Sequence, residues 1–323
     1  MQLPTFESFY GVDFSGGRLA GRNVWVARCE PATPGGTVNR RTRPIRAAGA
    51  AASPLSPPPA DLAVGVRQDR LRLVSLDRLE ALAGTAERTP ALAHLVQLVH
   101  QSSAALWGFD FPFGLPLELF PAGHTWGKVF DFLNGWEEDA YGCGLECVRR
   151  ARKLKHAEAR KTKHHVRRVT DVEARAPFDT FHYRIIYQTF FGIRDVIGPL
   201  SRTPRTAVLP FQYRKLSAAE RVLVECCPSS VLKALNLPHQ NYKQPTGGPL
   251  TRRRKVTRHR LLAAVEQFVD IPATFRRVMM RNPGGDAMDA VIAAVGAWRA
   301  VLSADHHAIS RHPRYRHEGR LYV

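Results

Sequence analysis

The sequence predicts an α/β protein, and three observations carry the prediction. Short apolar runs that stop at Gly or Pro read as strands, notably 9–14, 104–110 and 221–225. The run 104–110 is apolar until its final Asp, as in a strand covered on both faces. Longer segments with apolar residues at helical spacing separate these runs, so helices should cover the sheet. With 323 residues, 44% of them hydrophobic, the chain can bury a large core.

Residues 9–14, Phe-Tyr-Gly-Val-Asp-Phe, read as a buried strand that ends at Ser15-Gly16-Gly17. Residues 23–29 alternate and form a second strand, hairpinned to the first. Residues 31–60 contain Pro-Gly-Gly, an Ala-rich run and Ser-Pro-Leu-Ser-Pro-Pro-Pro. That composition cannot build a packed core and predicts a flexible Pro/Ala-rich loop. A third strand near 70–75 precedes an amphipathic helix over 77–100, broken at Pro90. The strand at 104–110 stops at Phe111-Pro112-Phe113-Gly114-Leu115-Pro116.

From 117 to 205 the pattern turns helical and polar, and residues 149–175 carry eleven Lys/Arg against three acids. This reads as a basic helical insertion within a single domain spanning 1–323. A buried strand at 221–225, a helix at 228–236, a basic helix at 251–268 and an Ala-rich helix at 285–303 follow. The His- and Arg-rich tail from 305 reads as irregular. No internal repeat is present.

Charge narrows the function. The chain holds 47 Lys+Arg against 28 Asp+Glu, a formal charge of +19. Such an excess attracts polyanions, and nucleic acid is the expected partner. The five cysteines, an odd number, do not suggest a disulfide framework and fit a reducing cytoplasm. Cys143 and Cys147 could join His164 or His165 on zinc, but their spacing matches no standard knuckle. No run approaches the roughly eighteen apolar residues of a spanning helix, and the first ten residues lack the character of a signal peptide.

The candidate chemistry lies in acids at segment ends. Three apolar runs end at, or hold near their end, one acid each: Asp13, Asp110 and Glu225. An ionised carboxylate is costly in a core, so each should stand at a strand end, open to a cleft. In Gly285-Asp286-Ala287-Met288-Asp289-Ala290, Asp286 and Asp289 are three apart and share a helix face. Ala290, Ala293, Ala294 and Ala297 would let that helix lie close to a sheet. Carboxylates brought together need a proton or a cation among them, and a hard divalent ion suits oxygen ligands. Each acid also has a structural reading: Asp13 as a turn former, Asp110 in an Asx turn, Asp286 as a helix cap, and Glu225 paired with an arginine.

Gly-Val-Asp-Phe-Ser-Gly-Gly at 11–17 resembles the first strand of RNase H-like proteins. Gly-Phe-Asp-Phe-Pro-Phe-Gly-Leu-Pro at 108–116, Val-Glu-Cys-Cys-Pro-Ser at 224–229 and Gly-Asp-Ala-Met-Asp-Ala at 285–290 resemble domain-of-unknown-function family 429 (DUF429), a predicted RNase H-like nuclease family. Glu318-Gly319-Arg320-Leu321-Tyr322-Val323 is similar to its usual ending. The Asp-Ala-Met-Asp-Ala motif is also similar to the last helix of Holliday-junction resolvases of the superfamily. The resemblance implies an RNase H-like mixed five-stranded sheet with helices on both faces and an acidic metal site. Asp13 matches the first-strand acid, Asp110 the fourth-strand acid, Asp286 and Asp289 the final-helix acids, and Glu225 the Glu-x-x-Pro motif. The insertion at 117–205 and the loop at 31–60 depart from the family pattern.

The expected activity is metal-dependent hydrolysis of phosphodiester bonds in DNA or RNA. Two Mg²⁺ or Mn²⁺ ions would serve the attacking and leaving oxygens, with Asp13 bridging and Asp110, Asp286 or Asp289 completing the ligands. Lys243 and the run Arg252-Arg253-Arg254-Lys255 would neutralise phosphates. Trp107, Trp126 and Tyr183 are either base-stacking platforms or core aromatics. Two other classes stay open: a non-catalytic nucleic-acid-binding protein of the same fold, and an actin-like-fold phosphotransferase with 11–17 as its phosphate loop.

Overall fold

A strand sends successive side chains to opposite faces, so strands apolar at every position need a core on each side. The computed structural model describes residues 2–32, 70–157, 166–244 and 247–323, and shows this arrangement. The sequence-predicted loop at 31–60 lies outside them from residue 33 onward. Among the described residues, seven strands form one mixed sheet: β1 Ser8–Asp13, β2 Trp25–Pro31, β3 Leu71–Arg78, β4 Ala105–Phe109, β5 Thr206–Val208, β6 Arg221–Glu225 and β7 Val269–Asp270. Their order is β5-β6-β4-β1-β2-β3-β7. β1, β2 and β3 pair antiparallel, while β4 joins β1, and β6 joins β4, in parallel.

The count of seven corrects the expected five. β5 and β7 hold three and two residues, too few to show a period, and they add to the two edges. The five longer strands are those read from the sequence.

The two faces feed two cores. Phe9, Leu106, Val222 and Val224 pack with the helix Asp286–Ser303. Tyr10, Val12, Trp107, Phe109 and Leu223 pack instead with Leu92, Leu95 and Val99 of the helix Arg88–Gln101 and with residues of the 117–205 region. That region is helical as expected, with Trp126–Asn134, Ala140–Ala157 and Ile186–Phe191 as its principal segments. Val129, Leu133, Phe190 and Ile193 are fully buried in the same cluster as those strand residues, so the region is part of the core. Among the described residues, no helix is long and apolar enough to cross a membrane.

Two local expectations need correction. The break in 77–100 falls at Gly84, a left-handed cap with φ 69°, and Pro90 sits in the first turn of the next helix, where its missing N–H costs nothing. The tail is not irregular: it forms His306–Arg311 and Tyr315–Glu318. The missed signal is Asp305, whose carboxylate accepts from His307 N at 3.0 Å and Ala308 N at 2.9 Å as an N-cap.

Close approach of Asp286–Ser303 to the sheet depends on two glycines facing each other across β1 and β4, Gly11 and Gly108. A Cβ on Gly11 would fall 2.0 Å from Ala290 O and 2.3 Å from Ala294 N. One on Gly108 would fall 2.6 Å from Ala297 Cβ and 2.9 Å from Ala293 O. The helix contributes alanines at these four positions, so backbone lies almost directly on backbone. Gly11→Ala should therefore destabilise the protein by about 3 kcal/mol, the upper end of ordinary overpacking, because the obstacle is main chain. Gly17→Ala, where a Cβ meets nothing closer than Ser15 Oγ at 3.5 Å, should change little. Urea denaturation of both variants checks the contrast.

Candidate functional site

The acids sit where the parallel strands end. Asp13 closes β1 and Asp110 directly follows β4, its N–H donating to Val12 O at 2.9 Å. Asp13 shares the face of Gly11, and Asp110 that of Gly108, so both point toward the helix Asp286–Ser303. That helix presents Asp289 in its first turn. Oxygens of Asp13, Asp110 and Asp289 all lie within 4.8 Å of one another, and no other such group of His, Cys or acid residues occurs among the described residues. Asp286 is half-buried at the helix start and lines the same cleft. Asn282 ties this start down, accepting from Ala287 N at 3.2 Å and reaching Asp286 Oδ2 at 3.5 Å.

Glu225 is out of phase with the aspartates by one residue. It pairs in register with Phe109, which pairs with Val12, so it faces the other side of the sheet. There it meets Arg168, which is wholly buried and donates to Glu225 Oε1 at 2.5 Å and Oε2 at 2.7 Å. Arg168 also holds Asp171 through bonds of 2.7 and 3.1 Å and donates to Glu318 O at 3.1 Å. Phe113 N donates to Glu225 at 3.0 Å, and Tyr322 N to its backbone carbonyl at 2.9 Å. Glu318 accepts from Val169 N at 2.8 Å and from Arg314 at 2.8 Å. One carboxylate thus ties β6, the 168–171 segment and residues 318–322 together.

Electrostatics at the aspartates oppose full ionisation. Burial raises the Asp13 pKa well above the usual carboxylate value; Lys243 works against this, and Asp289, Asp286 and Asp110 add to it. Burial and then Asp289 push Asp110 to about 7, with Lys243 and a hydrogen bond from Cys227 opposing. Asp286 is raised by burial as well. Against this stand the Arg258 guanidinium, felt by Asp286 and Asp289, and Lys243, whose ammonium pairs with Asp289. Desolvation works against that charge, but Asp289, Tyr242 and Asp13 outweigh it and hold the lysine pKa well above its ordinary value. Tyr242 OH donates to the other Asp289 oxygen at 2.8 Å. Two positive charges against four carboxylates leave room for a cation, and an all-oxygen donor set suits a hard divalent one.

The cleft above the acids encloses about 830 Å³. Lys243 and Arg254 line it; Arg254 also donates to Gln244 Oε1 at 2.5 Å. Arg252 and Arg253 are exposed and line a neighbouring groove of about 510 Å³ with Arg260, whereas exposed Lys255 lines neither. Gln240 and Asn241 border both spaces. Trp107 is a core residue, stacked on Tyr10 at 3.8 Å, and is not available to a base. Trp126 stacks on Phe211 at 3.9 Å and donates to Phe113 O at 2.8 Å. Cys143 and Cys147 are buried, and His164 and His165 lie outside the described residues.

Sequence reasoning missed Tyr242, Asn282, Arg168 and Arg258. Arg258 was hidden inside a run that reads as a solvated basic face. It is wholly buried and donates to Tyr242 O at 2.6 Å, Met279 O at 2.7 Å, Asn282 O at 2.6 Å and Pro283 O at 2.7 Å. No periodicity marks one arginine among several as the one turned inward.

A family profile described as "Protein of unknown function (DUF429)" matches residues 58–314. The chain belongs to this DUF429 family. The matched residues of this DUF429 protein hold Asp110, Glu225, Asp286 and Asp289, while β1 with Asp13 precedes them and Glu318 follows them. No curated protein and no solved structure matches the chain.

Two outcomes follow from this geometry. Between the ordinary value of 3.8 and about 7, Asp110 holds a proton in the folded chain that the unfolded chain releases. Its contribution to stability is therefore full below about 4 and lost as pH rises through about 7. Asp110→Asn should flatten that decline by more than about 1 kcal/mol, read from urea midpoints of metal-free protein across the range. Separately, Arg168→Ala should cost about 3–5 kcal/mol, because it leaves Glu225 and Asp171 buried without their partner.

Proposed function

We propose that this DUF429 protein is a metal-dependent nuclease of RNase H-like fold that hydrolyses phosphodiester bonds of nucleic acid. The observation that carries the reading is the convergence of Asp13, Asp110 and Asp289 at the carboxyl ends of parallel strands, beneath a cleft with basic residues on its wall. Support for the fold comes from the five longer strands, with acids on the first, on the fourth and on the final long helix, as the resemblance implies. The formal charge of +19 favours a polyanionic substrate. Five free cysteines fit a reducing, cytoplasmic setting.

Asp13, Asp110 and Asp289 would hold Mg²⁺ or Mn²⁺, with Asp286 beside them as a further oxygen donor. Bound there, the metal supplies Lewis-acid stabilisation of phosphoryl charge and a water activated for attack. The chain's own groups do the rest. Tyr242 fixes the rotamer of Asp289. Lys243 pairs with Asp289 and is placed to take a phosphate oxygen as its partner instead. Arg254 offers a second cation on the same wall. Glu225 acts at one remove, as a positioning residue that holds Arg168 and the 168–171 segment against the cleft.

Mn²⁺ at about a hundred times its Kd should add roughly 2.7 kcal/mol to the stability of the wild type. Asp13→Asn should fold, gain no such increment and lose Mn²⁺-dependent cleavage. Absence of metal-dependent cleavage of branched, single-stranded and hybrid substrates by the wild type would remove the nuclease reading, as would cleavage that survives Asp13→Asn.

A further inference from the structure

We infer that the substrate entering the cleft is a single strand of nucleic acid and not a double helix, an inference that rests on the nuclease reading above. The first ground is depth. Asp13 and Asp289 are 7% and 1% exposed, so the reacting phosphate must descend to a floor. The second is size. At about 830 Å³ the cleft is in the range of small-molecule pockets and takes only a short stretch of polymer.

The third ground is that both walls are pinned. On one side the segment 184–188 lies against the turn after β1. A Cβ on Gly16 would fall 1.9 Å from Tyr187 O, so main chain touches main chain there. The Gln188 amide donates to Phe14 O, and Arg88 donates to Gly16 O at 3.3 Å. On the other side, buried Arg258 binds Tyr242 O, Asn282 O and Pro283 O, and Gln244 N donates to Pro283 O at 2.8 Å. Neither wall can swing aside without breaking hydrogen bonds, part-buried ones on the 184–188 side and buried ones on the Arg258 side. A duplex, with its bases paired and stacked inside it, cannot lay them against the walls of such a space. A single strand can, with its bases splayed and stacked on aromatic side chains.

The cleft has the parts for this. Tyr187 lines it and is 42% exposed, and Phe178 lies on the same wall. Arg184, Lys243 and Arg254 line it as cations for the backbone. Tyr183, 65% exposed, lines a different pocket of about 310 Å³, and its hydroxyl accepts from Arg184 at 3.2 Å; Tyr141, 52% exposed in that same pocket, serves as an internal control.

The test is fluorescence anisotropy of wild-type protein with Ca²⁺, using a labelled single strand of about ten nucleotides and the blunt duplex of the same sequence, as DNA and as RNA. The expected result is binding of a single strand at least tenfold tighter than its duplex. Tyr187→Ala should weaken single-strand binding roughly tenfold, Tyr187→Phe should retain it, and Tyr141→Ala should leave it unchanged. Duplex binding as tight as single-strand binding, or a Tyr187→Ala variant that binds as the wild type does, overturns the inference and leaves the nuclease reading standing. Failure of both polymers to bind, with no metal-dependent cleavage of either, overturns the two together.

Discussion

Everything at the candidate site depends on how closely the helix Asp286–Ser303 lies on the sheet. Two glycines in register on adjacent strands, Gly11 and Gly108, meet four alanines of that helix. Each glycine stands two residues before an aspartate, in Gly11-Val12-Asp13 and Gly108-Phe109-Asp110. Because a strand repeats every two residues, the glycine that admits the helix and the aspartate that meets its first turn lie on one face. The same spacing that allows backbone contact therefore aims the carboxylates. Without it, Asp289 would stand a side chain's width further out, and the three acids would not converge.

The second organising contact is the Arg168 ion-pair network on the opposite face. Removing ions from water is expensive, and the network compensates by satisfying the guanidinium from several directions at once. Its members come from residues 168–171, 225 and 318, so it joins segments far apart in sequence. Its effect is to make the basic 117–205 region a fixed wall of the cleft.

Much of this was legible in the residues. The five longer strands follow from apolar runs bounded by Gly and Pro, and the Asp286/Asp289 pair from a spacing of three on an Ala-rich helix. Their convergence followed only from assuming that the strands are neighbours. Glu225 shows where that reasoning stopped. An acid at a strand end looks the same whichever face it takes, and only the register reveals that Glu225 pairs with Phe109 while Asp110 lies one residue on. Arg168 and Arg258 were illegible for a related reason: in a chain with 47 Lys+Arg, composition makes every arginine look solvated. The strands β5 and β7 were too short for any pattern, and Asp305 was a cap that went unread beside a His-rich tail.

Those two short strands have a consequence for how the protein keeps company with itself. The interior strands are apolar on both faces, and β4, Ala-Leu-Trp-Gly-Phe, is the kind of sequence that pairs readily with a copy of itself. Exposed sheet edges are where such pairing begins, since their unpaired N–H and C=O groups template another chain. Here the outermost positions are held by strands of three and two residues. Among the described residues, each border offers a visiting strand only two or three residues to pair with, a foothold too brief to lengthen.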